Sequence, residues 1–149
     1  MQYKYFAYGS NLDRRRFAAR CPGSRPVAAA ELRGYRLAFR GNGHADIVQQ
    51  KGGVVRGALY TVTPRDVEAL DWYEGAPVYY HRITVFVKDG DGTLHRALAY
   101  KMRSDAADAA PSLSYVLTIV CGCRDWNIEP DDEVKAAMEG ALEAAREEE

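Results

Sequence analysis

Cysteine is scarce in this chain. Its 149 residues include three, Cys21, Cys121 and Cys123, an odd number without the C-x-x-C spacing that zinc or dithiol chemistry uses. Free thiols in a reducing cytoplasm are the simplest account. Histidine is equally sparse at three, and no Cys/His cluster has ligand spacing, so neither a metal nor an organic cofactor is expected. Long apolar runs are missing too. No segment could span a bilayer, and the opening "MQYKYFAYGS" alternates apolar with polar residues where a signal peptide would have a continuous apolar core. An excess of charge of one sign is absent, with 20 Lys/Arg against 21 Asp/Glu and an isoelectric point near 6.3. That excludes the broad basic footprint of a nucleic-acid or anionic-membrane binder. The one local cluster, "DRRR" at Asp13 to Arg16, reads at helical spacing as a solvated face rather than a phosphate grip. Repeats, linkers and low-complexity stretches are also lacking, which leaves a single domain over residues 1–149.

What is present suits a folded core: 47% hydrophobic and 28% charged residues is the composition of a soluble globular protein. Residues 3–8 read as a strand and 11–20 as a short helix capped by Ser10 or Asn11 and ended by Pro22-Gly23. Strands are expected at 34–40, 45–50 and 54–62, punctuated by glycines. A hairpin follows in "RITVFVKDGDGTLHRALAYKM" around Asp89 to Gly92. That acidic turn lacks the later ligands of a calcium loop. Helices are expected at 64–74, 112–125 and 131–146, the last with Val134, Met138, Leu142 and Ala145 on one stripe, ahead of a frayed Glu147 to Glu149. About six strands and a minority of helices, without βαβ alternation, predict an α+β domain built on a curled sheet or small mixed β-barrel.

The helix in "TPRDVEALDWYEG" holds the most informative residue. Thr63 suits the N-cap, Pro64 the first helical position and Asp66 a capping box, so the helix phase is fixed locally. Val67 and Leu70 define the core-facing stripe, and the next residue on it is Glu74, just before the helix-ending Gly75. Burial and the negative end of the helix dipole would both raise its pKa toward the range of a useful general base or acid. The plainer reading is a Glu that turns outward or pairs with an arginine such as Arg82. The stretch "YFAYGSNLD" poses a similar choice. Gly9-Ser10-Asn11 can be a strand-to-helix connection, or a nest of N–H donors aimed at an anion or oxyanion.

"YFAYGSNL", "LDWYEG" followed by "YYHR", and "APSLSYVLTIVCGCRDW" together, and in this order, resemble the γ-glutamylcyclotransferase-like family, including its AIG2-like bacterial members. The resemblance implies a small β-barrel flanked by helices, in agreement with the strand count. It implies a cofactor-independent cyclisation in which the α-amine of a γ-glutamyl group attacks its own γ-carbonyl, giving 5-oxoproline and a released amine or amino acid. The family's acid/base corresponds to Glu74 and its substrate loop to Tyr8, Gly9, Ser10, Asn11 and Leu12. Tyr80 resembles its pocket tyrosine, with Tyr79 as the alternative, and Tyr115 another tyrosine near the ligand. The implied partner is a small γ-glutamyl compound, with neither nucleic acid nor membrane, and a homodimer is left open.

Two other readings stand beside it. Ser10 could be a nucleophile, although "YGSNL" is not a G-x-S-x-G elbow and His44, His81 and His95 lie in or beside strands without an obvious base role. The fold could also serve as a non-catalytic binding module, for which loss of Glu74 would be the expected sign.

Overall fold

The computed structural model describes residues 2–148. Five strands alternate unevenly with four helices: β1 (Tyr3–Ala7), a 3₁₀ turn (Ser10–Leu12), α1 (Arg14–Arg20), β2 (Arg25–Arg40), β3 (His44–Val62), α2 (Pro64–Glu74), β4 (Tyr80–Asp89), β5 (Leu94–Met102), α3 (Leu113–Asp125) and α4 (Asp132–Glu147). The strands close a barrel in the order β1-β3-β2-β4-β5. All neighbours are antiparallel except β1 and β5, which meet in parallel at Tyr5 and Leu98 and complete the circle. Closure removes the exposed edges that an open sheet would present.

The expected mixed barrel is present with five strands where about six were expected. The glycine pair Gly52-Gly53 does not separate two strands but lies within the 19-residue β3. Opposite it, β2 runs for 16 residues and includes the unassigned "RPVAAAELR". Register shifts at Pro26/Ala28 and Arg33/Tyr35 bend this long pair around the barrel. The three later helices start and end within a residue of expectation. The first does not: Asp13, not Ser10 or Asn11, is its cap, accepting from the Arg16 amide at 3.0 Å.

Phe6, Leu37, Ile47, Leu59, Val87 and Ala99 are shielded completely. Beside them an aromatic cluster, Tyr5–Phe17–Tyr60–Trp126, has successive ring centroids 5.4, 4.1 and 5.2 Å apart and ties the helices to the barrel. Burying two such rings stabilises by about 2–3 kcal/mol each. On α4 the expected stripe holds at Val134 and fades outward, where Leu142 is exposed. Glu148 follows the end of that helix, and Glu149 lies outside the described residues. Among the described residues no helix is long and apolar enough to cross a membrane.

Candidate active site

The site is built where a pinned turn meets the end of a capped helix. In α2, the Thr63 hydroxyl accepts from the Asp66 amide at 3.1 Å while the Asp66 carboxylate accepts from the Thr63 amide at 2.9 Å. This capping box sets the phase from the first turn, and Val67 and Leu70 are buried. At the far end Gly75 adopts φ 63°, ψ 36°, and its amide returns to the carbonyls of Asp71 and Trp72. A side chain at that backbone angle would be strained, so glycine ends the helix and leaves Glu74 in its last turn.

Glu74 is half-buried, and Arg82 does not neutralise it. That arginine instead forms an ion pair with Asp71, whose carboxyl is held below its ordinary range by the Arg82 hydrogen bond and further by the Tyr100 hydroxyl at 2.6 Å. The partner Glu74 does have is Asn11, whose side-chain amide donates to Oε1 at 3.3 Å and to the Tyr5 hydroxyl at 3.0 Å. Burial pushes the Glu74 carboxyl up to about 7, against the opposing pull of Arg20, the Asn11 amide and Arg16. Near neutral pH such a group is divided between acid and base, which suits it to move protons in either direction.

The turn is anchored from one side only. The Asn11 carbonyl accepts from the buried Tyr60 hydroxyl at 3.0 Å and the Leu12 carbonyl from Trp126 Nε1 at 2.8 Å. The Leu12 amide is taken up by the Gly9 carbonyl at 3.0 Å. Among the described residues, the amides of Gly9, Ser10 and Asn11 donate to no protein group. Three adjacent free donors beside a cavity are an arrangement from which an anion or oxyanion could accept.

Seven of the eight residues singled out from sequence line a single cavity of about 40 Å³: Tyr8, Gly9, Ser10, Asn11, Glu74, Tyr80 and Tyr115. The eighth, Leu12, has its side chain in the core, 1% exposed. Tyr5, Ala45 and Tyr100 complete the wall and were not legible beforehand. Tyr8 donates to the Tyr100 carbonyl at 2.6 Å and Tyr80 to the Ala45 carbonyl at 2.5 Å. Burial raises both phenols well above their ordinary value, so they stay protonated. The Tyr115 hydroxyl accepts from the Ala45 amide at 2.9 Å, which leaves its own proton free to donate. Tyr79 belongs to an outer groove of about 350 Å³ that shares Ser10, Glu74, Tyr80 and Tyr115 with the cavity. There its hydroxyl bonds His44 Nδ1 at 2.7 Å. Among the described residues no hydrogen bond joins Ser10 to a histidine.

A model of the family described as gamma-glutamyl cyclotransferase, AIG2-like, matches residues 5–117. The chain belongs to this family. The matched span contains the whole cavity, from Tyr5 to Tyr115. A solved structure titled gamma-glutamyl cyclotransferase is similar at 25% identity and a TM-score of 0.81, covering 94% of this chain and 99% of that one. An uncharacterized protein from Homo sapiens is similar at 26% identity and 0.80, covering 93% and 98%. A yeast gamma-glutamyl cyclotransferase specific to glutathione shares the fold at 13% identity and 0.70, covering 95% and 96%. No curated protein matches the chain in sequence.

Proposed function

We propose that the protein is a γ-glutamyl cyclotransferase that converts a γ-glutamyl amide into 5-oxoproline and a free amine or amino acid, with Glu74 as general acid and base. The observation that carries this reading is a carboxyl raised to about 7, oriented by Asn11 in a small tyrosine-walled cavity beside free backbone donors. Family membership supports the same class of reaction.

Two protons must leave the substrate's α-ammonium and two must reach the departing nitrogen. Glu74 as carboxylate takes the first, and the freed amine attacks the γ-carbonyl carbon. A carbon–nitrogen bond forms and the carbonyl oxygen becomes an oxyanion. Glu74, now the carboxylic acid, gives that proton to the leaving nitrogen. As the old amide bond breaks and the oxyanion collapses to the lactam carbonyl, the regenerated carboxylate takes the second proton from the attacking nitrogen and passes it to the released amine, which departs as its ammonium. A group titrating near 7 can both accept and return these protons.

The attack is intramolecular, and well-oriented reactions of this kind reach effective molarities on the order of 10⁵ M or more. Holding the γ-glutamyl chain bent is therefore the main task of Tyr8, Tyr80 and Tyr115. The amides of Gly9, Ser10 and Asn11 suit the substrate carboxylate or the oxyanion, each donor being worth roughly 3 kcal/mol where it acts in the transition state. Incubation with a panel of γ-glutamyl amino acids and γ-glutamylamines, read by mass spectrometry, should yield 5-oxoproline and released amine in equal amounts. Free glutamate in place of 5-oxoproline would contradict the reading.

A further inference from the structure

The cavity is too small for a whole γ-glutamyl conjugate. At about 40 Å³ it has room for roughly three waters, and the rest of a substrate must extend into the adjoining groove of about 350 Å³. Two guanidinium groups stand on that groove, Arg16 and Arg20, one turn apart on α1. Among the described residues neither has a carboxylate within ion-pair distance. Arg20 lies over the Tyr73 ring at 4.4 Å and reaches Asn11 Oδ1 at 3.5 Å. By contrast, the two arginines that hold strands and helices together elsewhere are paired, Arg40 with Asp46 and Arg82 with Asp71. Trp72, 79% exposed, and Tyr73, 44% exposed, add aromatic surface to the same groove.

We propose that this groove is the leaving-group subsite, and that Arg16 and Arg20 select γ-glutamyl conjugates whose released amine carries a carboxylate. The proposal rests on the cyclotransferase reading and narrows it to γ-glutamyl amino acids or peptides over γ-glutamylamines. A guanidinium presents paired donors in a plane that matches a carboxylate. Two unpaired cations placed side by side repel one another until an anion sits between them, and a cationic amine in the groove would add to that repulsion.

The test compares γ-glutamylalanine, γ-glutamylethylamide and γ-glutamylcadaverine. The first two differ only by the carboxylate next to the amide nitrogen, and the third adds a cation. The parent should favour the alanine conjugate over the ethylamide in kcat/KM by about tenfold, the worth of one charge-assisted hydrogen bond, with the cadaverine conjugate poorer still. Raising the salt concentration should narrow the gap. In Arg16→Gln/Arg20→Gln the alanine-to-ethylamide ratio should fall toward one. Removing these charges also acts on Glu74, but that change affects both substrates alike and leaves the ratio as the readout. A parent ratio of one or below, or a double variant with the parent's ratio, overturns the subsite while leaving cyclisation intact. The parent measurement stands even where the double variant does not fold. Absence of 5-oxoproline from all three compounds overturns the cyclotransferase reading, and the subsite with it.

Discussion

Replacing Glu74 by glutamine removes a group that the fold holds against its charged form, so the substitution changes how stability depends on pH. Burial lifts this carboxyl from an ordinary 4.5 to about 7. Below about pH 4.5 it is protonated in the folded and unfolded chain alike and contributes nothing that varies with pH. Between 4.5 and 7 the unfolded chain releases the proton while the folded chain keeps it. The parent therefore loses stability as pH rises, at up to about 1.4 kcal/mol per pH unit. Above 7 both states are ionised and the loss levels off at about 3 kcal/mol, an upper value because the side chain is half-buried and solvent screens part of the penalty. The Glu74→Gln variant carries no such loss. Its unfolding free energy minus that of the parent should be up to about 3 kcal/mol larger at pH 8.5 than at pH 4.5. Urea unfolding of both proteins across this range, followed by circular dichroism, measures the difference. A gap that stays constant with pH to within about 0.5 kcal/mol would refute burial as the cause of the raised carboxyl.

On the proposed mechanism turnover needs the Glu74 carboxylate, so kcat/KM should rise with an apparent pKa near 7, and a profile flat from pH 5.5 to 8 would remove Glu74 from the rate-controlling step. At Gly9 an added Cβ would stand 3.1 Å from the Ala45 Cβ and 3.4 Å from the Tyr115 hydroxyl. Gly9→Val should therefore cost about a hundredfold or more in turnover with folding retained. Ser10→Ala should stay within a few-fold because the backbone donor survives, and a folded but inactive Ser10→Ala would instead support a serine nucleophile. Asp46 is fully buried, accepting from Arg40 at 2.9 Å and from the Met102 amide at 2.9 Å. Asp46→Ala leaves the buried Arg40 cation with only the exposed Asp108 carboxylate at 4.0 Å and should destabilise by about 3–5 kcal/mol in a denaturant titration.

What could be read from the sequence was what local chemistry dictates. Thr63, Pro64, Asp66 and Gly75 fix the phase and end of α2 within 13 residues, and from that phase Glu74 follows as an acid in a hydrophobe's place. The barrel strands were harder, because a strand that bends around a closed sheet tolerates glycines that would end a flat one. Gly52-Gly53 therefore looked like a break inside what is one strand. The run of alanines in β2 has no alternation to betray it. Asn11 was read as a cap or ligand residue, whereas its contact to Glu74 joins positions 63 residues apart and exists only after folding. For the same reason Arg82 was offered to Glu74, although Asp71, one turn earlier on α2, takes it. The "DRRR" cluster was read as a solvated face. In the folded chain Arg14, Arg15 and Arg16 are exposed, as that reading expects, while Arg14 also stacks on Trp126 at 4.0 Å and Arg16 borders the groove beside Glu74, placements set by how α1 docks.

The central claim is that Glu74 moves the protons of a cyclisation, and its most direct test is 5-oxoproline production by the Glu74→Gln variant. The amide is nearly isosteric and can keep the Asn11 contact region filled, but it cannot accept and return a proton. With a γ-glutamyl substrate turned over by the parent, the variant should lose at least about a hundredfold in turnover, the usual worth of a positioned acid or base, while its circular dichroism and substrate binding remain those of the parent. A folded variant that forms 5-oxoproline within a few-fold of the parent rate would contradict the account.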